Sequence, residues 1–366
     1  MIKLLIVDDS ALMRRQLTLL FTAEADFEVR QARNGQEAVE ENLRFQPDVV
    51  TLDINMPEMD GITALSLMME ERPVPVVMVS SLTEKGALAT FEALNLGAVD
   101  YVAKPGGTIS LSLDQVKDDL VAKVRAAARA KPSRANTAFA KPLKKGPTLL
   151  ERMRQERLQV QQSAGIPYSK MAQTQDCIML IGVSTGGPRA LEEVLPALPP
   201  DFPWPVLVAQ HMPGSFTGPF ASRLNGVCAL EVVEVSRPMP VQAGTIYIGK
   251  GGADMVLTKR GDTLTVLSKP ESAEHLWHPS AELLARSALE HVKPANLVGV
   301  MLTGMGYDGA DGFAEIKKRG GRTIAESKET AVVFGMPAEL IERDGATLVL
   351  PLDKVATQIK AWASRP

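Results

Sequence analysis

The chain has 366 residues, of which 45% are hydrophobic and 23% charged, and only two are cysteines. These values exclude a disordered, fibrous or disulfide-framed protein, and the length favours two domains over a single core. No apolar run reaches the roughly 18 residues that a membrane span needs, and Asp8 and Asp9 interrupt the apolar N-terminus before a signal-peptide core could form. We therefore expect a soluble, cytoplasmic protein without membrane insertion.

The net charge of −3 is unevenly distributed along the chain. Residues 1–119 carry 10 basic and 20 acidic residues, residues 120–175 carry 12 and 2, and residues 176–366 carry 18 and 21. Such asymmetry indicates separate modules. We accordingly predict a first domain over residues 1–122, a basic linker over residues 123–175 and a second domain over residues 176–366.

Short apolar runs alternate with amphipathic stretches through the first domain. The runs predict five strands, and the stretches between them have the apolar spacing of helices. Strands that alternate with helices predict a parallel, doubly wound α/β sheet with right-handed crossovers. The predicted strands are Lys3–Val7, Phe27–Gln31, Val49–Leu52, Val74–Val79 and Val99–Val102.

Polar side chains stand at the carboxyl ends of these predicted strands, which share one edge of a parallel sheet. Three clustered carboxylates repel each other, and Mg²⁺ is a hard cation that such oxygen ligands hold. Beside Mg²⁺, Asp53 could attack a phosphoryl donor to give an aspartyl phosphate. The alternative is that each acid is a solvated turn residue. Asp8 and Asp9 follow the first predicted strand. Asp53 follows the third strand, Ser80 the fourth and Lys104 the fifth.

The segment 123–175 lacks this alternation. Between Asp119 and Glu151 there are eight Lys or Arg residues and no acidic residue, and only a weak helical pattern follows at 149–158. The composition predicts a linker, which is either a solvated tether or a docking segment for an acidic surface or anionic lipid.

Strand and helix signals resume at Asp176 and predict a second α/β domain. Its apolar runs predict strands of a Rossmann-like parallel sheet. Two further runs near Gly261 predict a β-hairpin or meander insertion; these runs are Thr245–Gly249 and Leu264–Leu267. The predicted parallel strands are Cys177–Val183, Val206–Gln210 and Leu297–Leu302, and the predicted helices are Gly187–Leu198 and Ser280–His291.

A serine, a histidine and an aspartate follow these three predicted parallel strands. Ser184 lies in a small-residue turn before a helix, a setting that exposes a nucleophile beside backbone N–H groups or, alternatively, cradles a phosphate. His211 ends the second strand and Asp308 follows the third. Because a serine hydroxyl needs a base and the base needs an orienting carboxylate, the arrangement predicts a Ser-His-Asp triad. This chain order differs from the Ser, Asp, His order of α/β-hydrolases.

Four motifs lie at the strand ends of the first domain: Val-Asp-Asp-Ser at 7–10, Leu-Asp-Ile-Asn-Met-Pro-Glu-Met-Asp-Gly at 52–61, Val-Ser-Ser at 79–81 and Tyr-Val-Ala-Lys-Pro at 101–105. Together they resemble a response-regulator receiver domain. The resemblance implies a flavodoxin-like (βα)5 fold and phosphorylation of Asp53 by a histidine kinase. It also implies Mg²⁺ bound by Asp8, Asp9, Asp53 and the backbone carbonyl of Asn55, and switch positions at Ser80, Tyr101 and Lys104.

Three motifs surround the predicted triad: Ile-Gly-Val-Ser-Thr-Gly-Gly-Pro at 181–188, Gln-His-Met-Pro-Gly-Ser-Phe-Thr at 210–217 and Met-Leu-Thr-Gly-Met-Gly-Tyr-Asp-Gly-Ala at 301–310. They resemble the catalytic domain of chemotaxis protein-glutamate methylesterases. The resemblance implies demethylation of glutamyl methyl esters on the cytoplasmic helices of chemoreceptors, with release of methanol, and deamidation of receptor glutamines as a variant. It implies that Ser184, His211 and Asp308 are catalytic, that Thr185 and Met305 support the oxyanion, and that this site uses no cofactor.

One segment departs from the family pattern. Where the family has His-Arg-Pro-Ser-Val-Asp, this chain has Trp-His-Pro-Ser-Ala-Glu at 277–282, near the expected rim of the active site. Two other functions therefore stay open: a phospho-responsive adaptor with a vestigial triad, and a DNA-binding response regulator, which the acidic C-terminal domain disfavours.

We expect the unphosphorylated receiver to cover the esterase face and phosphorylation to release it.

Overall fold

The structure, a computed structural model, describes residues 1–81, 83–104, 109–130 and 177–364. The chain divides into two compact units, Met1–Ala140 and Lys141–Pro366. Most of the predicted linker, including the helical pattern at 149–158, lies outside the described residues. Its first residues belong to a helix that ends at Arg129. The predicted domain boundaries stay predictions.

The first unit contains a parallel five-stranded sheet. Its strands are β1 (Ile2–Val7), β2 (Phe27–Ala32), β3 (Val49–Asp53), β4 (Val76–Ser80) and β5 (Asp100–Ala103), in the order β2-β1-β3-β4-β5. Every residue of β3 and β4 is buried, which explains why their sequences are mostly apolar rather than alternating. The strand order reverses between β1 and β3, so a crevice opens at the carboxyl ends of these two strands.

Capped helices fix the loops at this crevice. Ser10 and Asp60 accept hydrogen bonds from the backbone N–H groups three residues further on, and so begin the helices after β1 and β3. Gly61 is required at the second helix start because a Cβ there would overlap the Asp53 carbonyl oxygen. The helices are α1 (Ala11–Thr22), α2 (Gly35–Phe45), α3 (Gly61–Glu71), α4 (Glu84–Asn95) and α5 (Ile109–Arg129).

The second unit contains a parallel seven-stranded sheet, so the predicted fold class is confirmed in both units. Its strands are β6 (Ile178–Val183), β7 (Val206–Gln210), β8 (Glu231–Val235), β10 (Thr245–Gly249), β13 (Leu297–Met301), β14 (Arg322–Glu326) and β15 (Leu348–Leu350). They run in the order β15-β14-β13-β6-β7-β10-β8. The direction of winding changes between β6 and β13, and this switch point opens a second crevice.

A small antiparallel sheet is inserted into this unit. It consists of β9 (Met239–Pro240), β11 (Asp254–Arg260) and β12 (Thr263–Lys269), with Gly261 at a positive φ in the hairpin turn. The predicted hairpin run Leu264–Leu267 lies here. The assignment of Thr245–Gly249 to the insertion was wrong, because this strand pairs in parallel with β7 and β8. All five of its residues are buried, as in a strand covered on both faces.

Helices flank the large sheet. Leu284, Ala285 and Ala288 of one helix are fully buried in the core beneath β6 and β11. No helix in the described part of the chain is long and apolar enough to cross a membrane. The helices are α6 (Gly187–Val194), α7 (Gly214–Val227), α8 (Ala281–His291), α9 (Ala310–Lys318), α10 (Met336–Glu342) and α11 (Leu352–Ala363).

Candidate functional site

Three carboxylates and an ammonium meet in the crevice of the first unit. Asp8 and Asp53 are buried and Asp9 is exposed, and one ligand oxygen of each lies within 4.8 Å of the others. Lys104 Nζ is 3.0 Å from Asp8 Oδ2 and 2.7 Å from Asp53 Oδ2. The structure thus brings together four residues that the sequence had placed at the ends of three different strands.

The charges in this crevice are unbalanced. Burial raises the pKa of Asp53; Lys104 opposes this effect and Asp8 adds to it, and the net pKa is above the ordinary value. Burial lowers the pKa of Lys104, but its hydrogen bond and attraction to Asp53 and Asp8 outweigh burial, so its pKa is raised. One ammonium faces three carboxylates, so the crevice keeps an excess of negative charge. This set of oxygen donors fits a hard divalent cation.

The other residues predicted for this site lie around the carboxylates. The Asn55 N–H donates to Asp53 Oδ1 at 3.4 Å. The Ser80 hydroxyl donates to the Gly86 carbonyl at 3.2 Å, in the first turn of α4. Tyr101 is buried within β5. The switch roles of Ser80 and Tyr101 and the ligand role of the Asn55 carbonyl stay predictions.

The predicted triad lies along the crevice of the second unit. Ser184 follows β6, His211 follows β7, and Asp308 lies in the loop after β13, so β6 and β13 place two of the three beside the switch point. His211 Nε2 is 2.8 Å from Asp308 Oδ2. Both side chains are at least nine-tenths buried, and Ser184 is also buried.

Gln210 ties the serine to the histidine. Its buried amide Nε2 donates to the carbonyl oxygens of Ser184 and His211, both at 3.0 Å. Gly187 makes room for this amide, because a Cβ there would overlap Gln210 Oε1. The sequence analysis missed Gln210, although an amide at the end of a buried strand, directly before a candidate catalytic histidine, was a signal.

Asp308 is held at the N-terminus of α8. Its Oδ1 accepts hydrogen bonds from Ser280 Oγ at 2.9 Å and from the Glu282 N–H at 3.1 Å, and its Oδ2 accepts from the Ala281 N–H at 2.6 Å. Burial alone would raise the pKa of Asp308, but the hydrogen bond and charge of His211 and the two backbone bonds outweigh it, so the pKa lies below its usual value. These donors come from the segment 277–282 that departs from the family pattern.

The charge of Asp308 decides which nitrogen of His211 is basic. An ionised carboxylate only accepts hydrogen bonds, so the Nε2 of His211 carries the proton that Asp308 receives. Nδ1 then has a lone pair, and this buried atom has no hydrogen-bond partner within the described residues. Nδ1 is therefore the nitrogen left to act as a base.

The loop after β13 passes beside the serine. The Ser184 N–H donates to the Thr303 carbonyl at 3.0 Å, and Thr303 Oγ1 donates to the Thr185 carbonyl at 2.9 Å. Gly304 allows this close approach, because a Cβ there would lie 2.8 Å from Ser184 Cβ. The Met305 N–H donates no hydrogen bond to another described residue, which leaves it available to an oxyanion.

Behind this loop lies a carboxyl group that the sequence analysis did not single out. Glu326 ends β14, is fully buried, and accepts a hydrogen bond from the Thr303 N–H at 2.8 Å. Burial raises the pKa of Glu326 to about 7. Glu326 thus supports the loop that contacts the serine.

An aromatic ring stacks on the histidine. The Trp277 ring is parallel to the His211 ring, with an interplanar angle of 3° and centroids 5.7 Å apart. Tyr307 packs edge-on against Trp277 and is half-exposed. The sequence had marked Trp277 as a departure without indicating this contact.

Comparison with protein families assigns both units. The family model described as CheB methylesterase matches residues 179–359, and the model described as response regulator receiver domain matches residues 4–113. The two matches fall in the two compact units.

Individual relatives agree over the whole length. A Rhodospirillum rubrum protein named protein-glutamate methylesterase/protein-glutamine glutaminase 3 is 52% identical, and the match covers 100% of this chain and 97% of the relative. A Rhodopseudomonas palustris protein of the same name, numbered 2, is 48% identical over 100% of this chain and 99% of the relative. The crystal structure of the Thermotoga maritima CheB methylesterase catalytic domain is 37% identical, with a TM-score of 0.50, and covers 52% of this chain and 100% of that domain.

Proposed function

Because the chain belongs to the CheB methylesterase family and carries a response-regulator receiver domain, we propose that it is a phosphorylation-controlled protein-glutamate methylesterase that acts on chemoreceptors. The single observation that carries the chemistry is the buried Asp308–His211 hydrogen bond beside Ser184. Relatives named glutaminase support deamidation of receptor glutamines at the same site.

The acylation step of the proposed mechanism is as follows. Ser184 Oγ attacks the carbonyl carbon of the ester while His211 Nδ1 takes the hydroxyl proton. The carbonyl electron pair moves onto the oxygen, where the N–H of Met305, with the turn at Thr185, stabilises the negative charge. When the tetrahedral intermediate collapses, the methoxy oxygen leaves with the proton from His211. Methanol departs and an acyl-enzyme remains on Ser184.

Deacylation repeats these steps with water. His211 Nδ1 removes a proton from the water as its oxygen attacks the acyl carbon, and the proton then returns to Ser184 Oγ as the acyl bond breaks. The product is a receptor glutamate. With a glutamine substrate the first leaving group is ammonia instead of methanol. Throughout, Asp308 holds the imidazole orientation and stays ionised.

We assign the control to the first unit. Asp53 attacks the phosphorus of a histidine kinase phosphoramidate or a small phosphoryl donor, and the bond to the donor breaks. Asp8, Asp9, Asp53 and the Asn55 carbonyl would hold Mg²⁺, which neutralises the oxygens of the incoming group. Lys104 and Ser80 contact the transferred phosphoryl oxygens. A cytoplasmic location follows from the proposed kinase and receptor partners, and no nucleic acid is involved.

The test is methanol release from methylated receptor membranes, with Mg²⁺ present and a small phosphoryl donor added or omitted. We expect the donor to stimulate methanol release by the full chain. Ser184→Ala should release no methanol, and Asp53→Asn should release methanol at a rate that the donor does not change. Receptor binding without methanol release from the unaltered chain would instead support the adaptor function.

A further inference from the structure

The indole of Trp277 lies against His211, the proposed catalytic base. It is stacked on His211 and forms a T-shaped contact with Tyr307. It also lies against Gly306, since a Cβ at that position would be 2.7 Å from the indole ring. Trp277 therefore contacts both the base and the loop that carries the proposed oxyanion donor.

The segment that carries Trp277 is anchored at both ends by one buried carboxylate. Asp254, which is 1% exposed, accepts hydrogen bonds from the N–H of Ser272 at 2.9 Å and of Ser280 at 3.0 Å. It also pairs with His278 Nδ1 at 3.0 Å. The loop around Trp277 is thus built to a defined position, although Trp277 itself is only half-buried and the neighbouring Leu276 is 73% exposed.

Two physical effects follow from a parallel stack at 5.7 Å. The indole surface restricts tilting of the imidazole, and a tilt would lengthen the bond from Nε2 to Asp308. In addition, His211 becomes a cation when it takes the Ser184 proton, and indole is the aromatic ring that attracts a cation most strongly at a centroid distance below about 6 Å. The second effect exists only after proton transfer, so it lowers the barrier rather than improving substrate binding.

We propose that Trp277 is a positioning residue of the esterase: it holds the His211 imidazole against Asp308 and stabilises the imidazolium that forms during acylation. This inference rests on the proposed function and adds to it a residue that takes the place of the histidine in the family pattern. A residue that merely filled space beside His211 would affect stability but not the barrier.

The kinetic test compares three variants of the full chain. Trp277→Leu keeps an apolar side chain but has no ring, and we expect kcat to fall roughly 5- to 30-fold with KM changed less than about two-fold. Trp277→Phe should lower kcat less than Trp277→Leu, because the smaller phenyl ring can still stack on the His211 imidazole. Leu276→Ala is the matched control, since it alters the exposed neighbour only, and its kcat should equal that of the unaltered chain.

A spectroscopic test is independent of activity. The proton between His211 Nε2 and Asp308 should give a downfield NMR resonance, identified by its absence in Asp308→Asn. We expect it to be sharp in the unaltered chain and in Leu276→Ala, and broadened by exchange in Trp277→Leu, with circular dichroism showing that each variant is folded.

The outcomes separate this inference from the proposed function. If the unaltered chain releases no methanol, the proposed function is wrong, and the NMR resonance alone decides the positioning role. If the chain is active and a folded Trp277→Leu keeps both kcat and the sharp resonance, the positioning role is wrong. Loss of both in Trp277→Leu, with partial retention in Trp277→Phe, supports it.

Discussion

The backbone beside Ser184 leaves no space for a side chain. A Cβ at Gly304 would lie 2.8 Å from Ser184 Cβ and 2.5 Å from Met336 Sδ. The loop after β13 and the turn that carries the serine are therefore in direct contact, and their separation depends on this glycine.

We expect Gly304→Ala to reduce kcat/KM about 100-fold, because a displacement of the nucleophile by about 1 Å costs this much. Methanol release by the purified variant measures the effect. Gly218→Ala is the control: its Cβ would lie 3.7 Å or more from the side chain of Glu234, at ordinary van der Waals distance. Equal activity of the two variants would contradict the close-contact argument.

Glu326 makes stability depend on pH in a direction unusual for a carboxyl group. Its pKa is about 7 in the folded chain, against an ordinary value of 4.5. Between these two pH values the folded chain keeps the proton that the unfolded chain has lost. The free energy of unfolding therefore falls as pH rises through this window, by up to about 3 kcal/mol from this group.

Glu326→Gln should remove this dependence. We expect the variant to be more stable than the unaltered chain at pH 8 and closer to it at pH 5, as measured by denaturant unfolding of the second unit. The exposed Glu342→Gln is the control and should follow the unaltered chain at both pH values. A Glu326→Gln curve parallel to the unaltered one would show that Glu326 is already ionised in the fold.

At the scale of elements, the N-terminus of α8 acts as the holder of Asp308. Ser280 Oγ accepts from the Leu283 N–H at 3.2 Å, as an N-cap does, and donates to Asp308 Oδ1 at 2.9 Å. Helix initiation and orientation of the Asp308 carboxylate thus depend on the same hydroxyl.

Ser280→Ala should lower both stability, by about 1 kcal/mol, and kcat, by about 10-fold. Thermal unfolding and methanol release measure the two effects. Asp60→Ala removes the N-cap of α3 in the other unit and serves as the control, with a similar loss of stability and no loss of basal kcat. If Ser280→Ala lowered the thermal stability but left kcat unchanged, the Ser280 hydroxyl would act only as the N-cap of α8 and would not orient Asp308.

The elements show what the sequence could and could not predict. Strands such as β3 and β6 were found because burial along their whole length makes most of their residues apolar. Thr245–Gly249 was misassigned, because a buried central strand and a hairpin strand look alike in so short a run. The sequence predicted that Ser184, His211 and Asp308 lie together because the ends of parallel strands share one sheet edge. The contacts of Gln210 and Glu326 depend on which strands are neighbours, which spacing does not reveal.

At the scale of the whole molecule, two parallel sheets present two different candidate sites at their carboxyl edges. The proposed metal site lies in the first unit and the proposed triad in the second. Because the esterase mechanism uses only side chains and backbone N–H groups, the two activities should have separable metal requirements.

Removal of Mg²⁺ with EDTA should therefore abolish the donor-stimulated part of methanol release and leave the basal part within about two-fold, since no metal enters the triad chemistry. Asp53→Asn should give the same basal rate with and without EDTA. Methanol release that EDTA stops completely, in Asp53→Asn as well, would show that the esterase site needs a metal.

The residues of the proposed triad come from distant parts of the chain, and this separation affects how the enzyme folds. His211 and Asp308 are joined over 97 residues, and Gln210 reaches back over 26 to Ser184. Contacts between distant positions form late, because the intervening chain must first be ordered. After dilution from denaturant, helical signal should recover before esterase activity. The recovery of esterase activity would then mark the time at which the central sheet is complete. Activity can therefore serve as a measure of correct folding of the second unit.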